Sequence, residues 1–200
     1  GKKDFSELKL NYAPVRESVK LNYARVINGD KVQEISEQEK NLMDASWVAG
    51  APKYDPTKIL VCSLPGVEIG SIIEYEYEMD CTGTWPNQSS FILQDYAHVV
   101  HRRLVVNVPE NLPLYAKYHP GGWLVKTKGF EKFVTSYVEK KDGMKTLVWD
   151  ASNIPALARE NDLPSFTMFT PSVVIGFGNW KDHAAEVFSQ MKRHAVAGAE

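Results

Sequence analysis

Ser71-Ile72-Ile73-Glu74-Tyr75-Glu76-Tyr77-Glu78-Met79-Asp80-Cys81 (residues 71–81) sorts its side chains by parity. Ile73, Tyr75, Tyr77 and Met79 fall on one face and Glu74, Glu76 and Glu78 on the other, because successive side chains of an extended chain alternate. A helix would scatter both sets around its circumference. The stretch therefore predicts an antiparallel strand with one wet face, and it sets the expectation of a sheet protein for the rest of the chain.

Working outward, KILVCSL (58–64) lies before it across Pro65-Gly66-Val67-Glu68-Ile69-Gly70, and the two runs read as a hairpin. Upstream, SELKLNY (6–12) and ESVKLNYARVI (17–27) alternate in the same way, and Asn28-Gly29-Asp30 before KVQEI is a strong hairpin signal. Downstream, FILQDY (91–96), VVHRRLVVNV (99–108), PLYAKY (113–118), KFVTSYV (132–138), KTLVWD (145–150) and SVVIGF (172–177) are further strands, with a turn at Asp142-Gly143. Two segments break the pattern. Ser36-Glu37-Gln38-Glu39 has the S-x-x-E form of a capping box and predicts a short helix through about Ser46. From Asn179, Trp180, Ala184, Val187, Phe188 and Met191 recur at spacings of three and four, the apolar stripe of an amphipathic helix over 179–200.

Composition bounds the function. The 200 residues are 44% hydrophobic and 24% charged, the balance of a globular chain, and their length favours one all-β domain. Lys plus Arg number 23 and Asp plus Glu 25, so the net charge of −2 offers no basic field for nucleic acid. No run approaches the roughly 20 apolar residues of a membrane span, and residues 1–20 have no signal-peptide core. Gly1 in place of an initiator Met leads us to expect an upstream segment.

The residues capable of chemistry do not assemble into a site by spacing. Cys62 and Cys81 are too few for a thiolate zinc site. If 58–64 and 71–81 form a hairpin, the two stand more than about 25 Å apart, beyond the reach of a disulfide, and both are expected to be buried free thiols. His98 and His101 would point to opposite faces of one strand, which disfavours a shared metal. Cys62 lies in an apolar run, a poor setting for a nucleophilic thiolate. The Glu74, Glu76, Glu78 row reads as a solvated sheet face, and Asp95 and Glu160 as loop carboxylates whose separation sequence does not fix. Trp85 and Trp123 stand beside turn residues; with Tyr96 they are candidate stacking platforms for a polysaccharide or an extended peptide, or else cover the ends of a core. Trp47 and Trp149 read as core. No catalytic residue, metal or cofactor is assigned.

A resemblance adds context. Tyr12-Ala13-Pro14, LNYARVINGDKV (21–32), Pro52-Lys53-Tyr54, SLPGVEIGSIIEYEYEM (63–79), HRRLVVNVPENLPLY (101–115), NIPALARENDLPSFTMFTPSVVIGF (153–177) and NWKDHAAEVF (179–188) occur in that order. In this the chain resembles a bacterial domain of unknown function found in front of transglutaminase-like modules. The resemblance implies an immunoglobulin-like β-sandwich over 1–178, with strands before Ser6 in other members, and a helix leading into a papain-like transglutaminase core. That core's Cys, His and Asp would lie beyond residue 200, so the resemblance transfers no catalytic residue, and the full-length protein would be a transglutaminase-like enzyme or a cysteine peptidase. Periplasmic or cell-surface location is implied in the same way. The expectation is a non-catalytic accessory domain whose interface is Trp180, Val187, Phe188 and Met191; the alternative is a ligand-binding module using Trp85, Trp123 and Tyr96.

Overall fold

The computed structural model describes residues 5–50, 56–82, 88–121, 130–158 and 160–194, and every strand pairing among them is antiparallel. Their contacts divide the chain into two units, Gly1–Trp85 and Pro86–Glu200. The first unit holds β1 (Glu7–Tyr12), β2 (Glu17–Asn28), β3 (Lys31–Glu34), β4 (Lys40–Asp44), β5 (Lys58–Ser63) and β6 (Ile72–Cys81), in sheets ordered β1-β5-β4 and β3-β2-β6. Its small core is Ala24, Val26, Leu64 and Val67, with Leu8, Leu21, Ile35 and Ile73 packed around it.

The second unit holds β7 (Gln88–Ile92), β8 (Val99–Pro109), β9 (Leu114–His119), β10 (Val134–Lys141), β11 (Met144–Ile154) and β12 (Ser172–Phe177). Two sheets, β10-β11-β8 and β7-β12-β9, share one core. Leu147, Trp149 and Ala151 of β11 and Val99 and Val108 of β8 meet Val173 and Ile175 of β12, which is sandwich layering. Helix α1 (Phe166–Phe169) is a single turn, and α2 (Trp180–His194) is the long helix that the stripe predicts.

The tight turns obey local rules. Asp142 and Gly143 both have positive φ (52° and 75°), as a two-residue type I′ turn between Lys141 and Met144 requires. Between the paired Asn28 and Lys31, Gly29 takes φ 59° at the first central position.

Three expectations are corrected, and in each a non-local partner prevails. First, β5 and β6 do not form a hairpin: β5 lies between β1 and β4, while β6 pairs with β2. The connecting residues bury Leu64 and Val67 in the core, so the chain crosses from one sheet to the other instead of reversing. The Asn28 amide clamps this crossover by donating to the Gly66 carbonyl at 2.9 Å, and Ser71 Oγ donates to Asn28 Oδ1. Second, the capping box forms, with the Ser36 amide donating to Glu39 Oε2 at 2.8 Å, yet it starts only a 3-10 turn over Glu37–Glu39. Residues 40–44 are extended instead, because the open edge of β5 pairs them from Lys40↔Cys62 to Asp44↔Lys58. One turn of helix is a costly nucleus, and the strand offers a partner to every residue. Third, Trp47 and Cys81 are exposed, since neither reaches a core cluster, whereas Trp149 and Cys62 are buried as expected.

Two outcomes follow. Trp149→Ala removes a ring from the main core and should destabilise the chain by about 3–5 kcal/mol in urea unfolding, whereas Ile69→Ser, at a fully exposed position, should stay within about 0.5 kcal/mol. Burial against the same core pushes the Tyr118 phenol up to about 12 from its ordinary 10.0. The folded state then holds a proton that the unfolded chain releases, so stability should be intact below pH 10 and fall as pH rises towards 12. Tyr118→Phe should flatten that fall in denaturant midpoints taken across the window.

Candidate interaction surface

The long helix begins where Asn179 caps it: Asn179 Oδ1 accepts from the Lys181 amide at 2.9 Å, and its carbonyl accepts from the His183 amide at 3.0 Å. Gly178, at φ 75°, turns the chain out of β12, and its amide donates to the Pro113 carbonyl at 3.1 Å. At 100° per residue, Trp180, Ala184, Val187, Phe188 and Met191 fall within an arc of about 100°. Trp180 is 85% exposed, Phe188 68%, Met191 65% and Val187 41%. The Trp180 ring meets His183 edge-on, with centroids 5.8 Å apart. Four large apolar side chains on one face of a capped helix, each substantially in solvent, form a surface suited to packing against another apolar surface.

The other candidates separate. Cys62, fully buried in β5 opposite Leu8 and Lys40, has its thiol pushed up by burial, the reverse of what a nucleophile needs. Cys81 sits in solvent at the end of β6. The Glu74, Glu76 and Glu78 row is a hydrogen-bonded sheet face. Arg25 Nη2 donates to Glu74 Oε2 at 2.8 Å, the Tyr23 hydroxyl donates to Glu74 Oε1 at 3.1 Å, and Arg25 and then Tyr23 hold that carboxyl below its usual range. A register shift between Leu21 and Tyr23 turns the Asn22 amide onto both Glu76 (2.7 Å) and Glu78 (2.9 Å).

His101 is not a partner of His98: its Nε2 lies 2.9 Å from Asp150 Oδ1 across the β8–β11 pair. Asp95 accepts from the Tyr96 amide at 2.6 Å and stands 3.6 Å from Arg102, and no hydrogen bond or ion pair joins it to Glu160 among the described residues. Tyr96 is half-buried in the β7–β8 connection, while Trp85 and Trp123 lie outside the described residues. Among the described residues no three His, Cys, Asp or Glu side chains are grouped to hold a metal ion, and no helix is long and apolar enough to cross a membrane. Arginines 102 and 103 were not candidates from sequence, although two adjacent cations inside VVHRRLVV are a recognisable mark of an edge strand.

The fold and this surface define an antiparallel all-β module carrying an exposed helical stripe. Residues 1–158 match the family model described as a domain of unknown function with solved structure, DUF3857, and the chain belongs to that family. No curated protein matches it. Its fold is also that of a crystal structure from Parabacteroides distasonis described as a "putative protease", with a TM-score of 0.72 at 22% identity over 87% of this chain. This chain spans 33% of that one.

The two thiols should divide sharply in a labelling experiment. With a chromogenic disulfide reagent on the native chain, Cys81 should react fully within minutes and Cys62 only after denaturant is added; Cys81→Ser should remove the native signal and Cys62→Ser leave it.

Proposed function

We propose that this chain is a non-catalytic accessory domain that packs on, and positions, a downstream transglutaminase-like or cysteine-peptidase-like core of the same protein. The observation that carries this reading is the exposed stripe of α2, Trp180, Val187, Phe188 and Met191. Two further findings support it. The Cys62 thiol is buried and pushed up by that burial, a poor setting for nucleophilic attack. The similar structure described as a protease is about three times as long as the part this chain matches, which leaves ample length for a second module. The family resemblance supports a transglutaminase-like module as that partner and an exported location, periplasmic or at the cell surface.

The reading is tested by calorimetric titration of this chain with the separately expressed downstream region. We expect a saturable complex with a Kd of about 10–100 μM, weakened at least about fivefold by Trp180→Ala and by Phe188→Ala. Both side chains are exposed, so unfolding of the variants is not a confounder. No saturable heat at about 1 mM of each partner would sink the proposal.

A further inference from the structure

Strands β7 and β8 are consecutive but enter different sheets, and each ends its sheet's order among the described residues. Between them runs a groove of about 300 Å³. Its walls are Ser90, Phe91, Ile92 and Leu93 on one side and Arg102, Arg103 and Leu104 on the other. Runs of consecutive residues on both walls mean that backbone as well as side chains lines it. A strand with a neighbour on one side only leaves alternate N–H and C=O groups of its other edge unpaired, a template for an added strand. The β8 edge is long, Val99–Pro109, and Val100 on it is 70% exposed.

The two arginines are adjacent and so project to opposite sides of the strand. Arg102 Nη1 donates to the Ile92 carbonyl at 3.0 Å, while its Nη2 is 3.6 Å from Asp95. Arg103 Nη2 donates to Tyr137 OH at 2.7 Å, while its Nε is 3.7 Å from Asp150. Both carboxylates stand beyond ordinary hydrogen-bond length, and a guanidinium has five donors, so each arginine keeps N–H groups to offer. The lining thus holds two cations and no carboxylate, with Phe91, Ile92, Leu93 and Leu104 as its apolar members.

We propose that this groove binds an extended peptide that adds as a strand to the free edge of β8 and carries two consecutive acidic residues. In a paired strand, residues opposite Arg102 and Arg103 share their respective sides, so neighbouring carboxylates reach one guanidinium each. Two positions from the first acid, on the side of Leu104, the peptide carries an apolar residue. Main-chain hydrogen bonds supply affinity and the two ion pairs supply selection.

The experiment is fluorescence anisotropy of the 200-residue chain with a fluorescein-labelled peptide, Thr-Thr-Val-Glu-Glu-Val-Thr-Thr, which sets a valine opposite Leu104 in either strand direction, alongside its Gln-Gln counterpart and a version N-methylated at alternate residues. Saturable binding is expected, about tenfold weaker for the Gln-Gln peptide, abolished by N-methylation, and reduced at least about fivefold by Arg103→Gln. The peptide comparisons hold whether or not an arginine variant is folded. Trp180→Ala should leave binding unchanged, which separates this site from the α2 surface. No saturable signal up to roughly 1 mM chain overturns the proposal, as does equal binding of the N-methylated peptide. A concentration-dependent dimer that Arg103→Gln alters would assign the edge to a second copy and overturn it as well.

Discussion

The second unit depends on one constraint, that the inner face of β11 be covered. Leu147, Trp149 and Ala151 lie on that face, and Val173 and Ile175 of β12 cover them. Both strands are central, bonded on two sides, so their backbone polar groups are satisfied and their side chains are free to be apolar. SVVIG of β12 reads accordingly as an almost unbroken apolar run, and its first four residues are buried. The flanking strands cannot follow. The β10 strand ends in Glu139, Lys140 and Lys141, and β8 carries Arg102 and Arg103, because a free edge without charge would pair with whatever strand it met. Filling the middle of the sandwich thus forces charge to its margins, and the margins are where a partner can be selected.

How far the sequence disclosed this depended on range. Hairpin turns at Gly29 and at Asp142-Gly143, and the strands on either side of them, follow from dihedral preferences and period-2 alternation that act within a few residues. The errors arose where the deciding partner is distant. KILVCS reads the same whether it pairs with the next run or lies between β1 and β4; its apolar middle, Ile59 to Cys62, suits a central strand, and the two buried anchors, Leu64 and Val67, turn the chain away. Ser36 and Glu39 do cap each other, yet that local motif yields to the edge of β5, which hydrogen-bonds residues 40–44 as strand. Trp47 illustrates the same point for burial: an aromatic ring is not core unless a sheet face arrives to cover it.

The surfaces divide in the same manner. The α2 stripe was legible because helical periodicity is local, and a run of apolar residues at three and four is visible without knowing what it meets. The β7–β8 groove was not, since it exists only once two strands separated by a loop have entered different sheets. Its one trace in the sequence is the Arg102-Arg103 pair inside an otherwise apolar strand. Conversely, two of the groups that attract notice in a sequence are absorbed by the fold: Cys62 by burial, and His101 by Asp150 across the ladder.

Magnitudes decide what kind of partner the α2 stripe suits. Burying a large apolar side chain contributes about 1.5–3 kcal/mol, so Trp180, Val187, Phe188 and Met191 together supply gross stabilisation on the order of 6–12 kcal/mol. Losing translational and rotational freedom costs an estimated 4–15 kcal/mol when the partners are separate molecules. With the cost at the lower end of that range, about 5–6 kcal/mol remains, so a free partner would be held only weakly, at about 100 μM. A partner joined to the same chain has already lost most of that freedom, and a short connection presents it at an effective concentration of about a millimolar. For the tethered core we propose, the same four side chains would then keep the docked state dominant without being so sticky that they drive association between molecules. An interface of this modest size therefore suits the tethered neighbour we propose better than a diffusing partner.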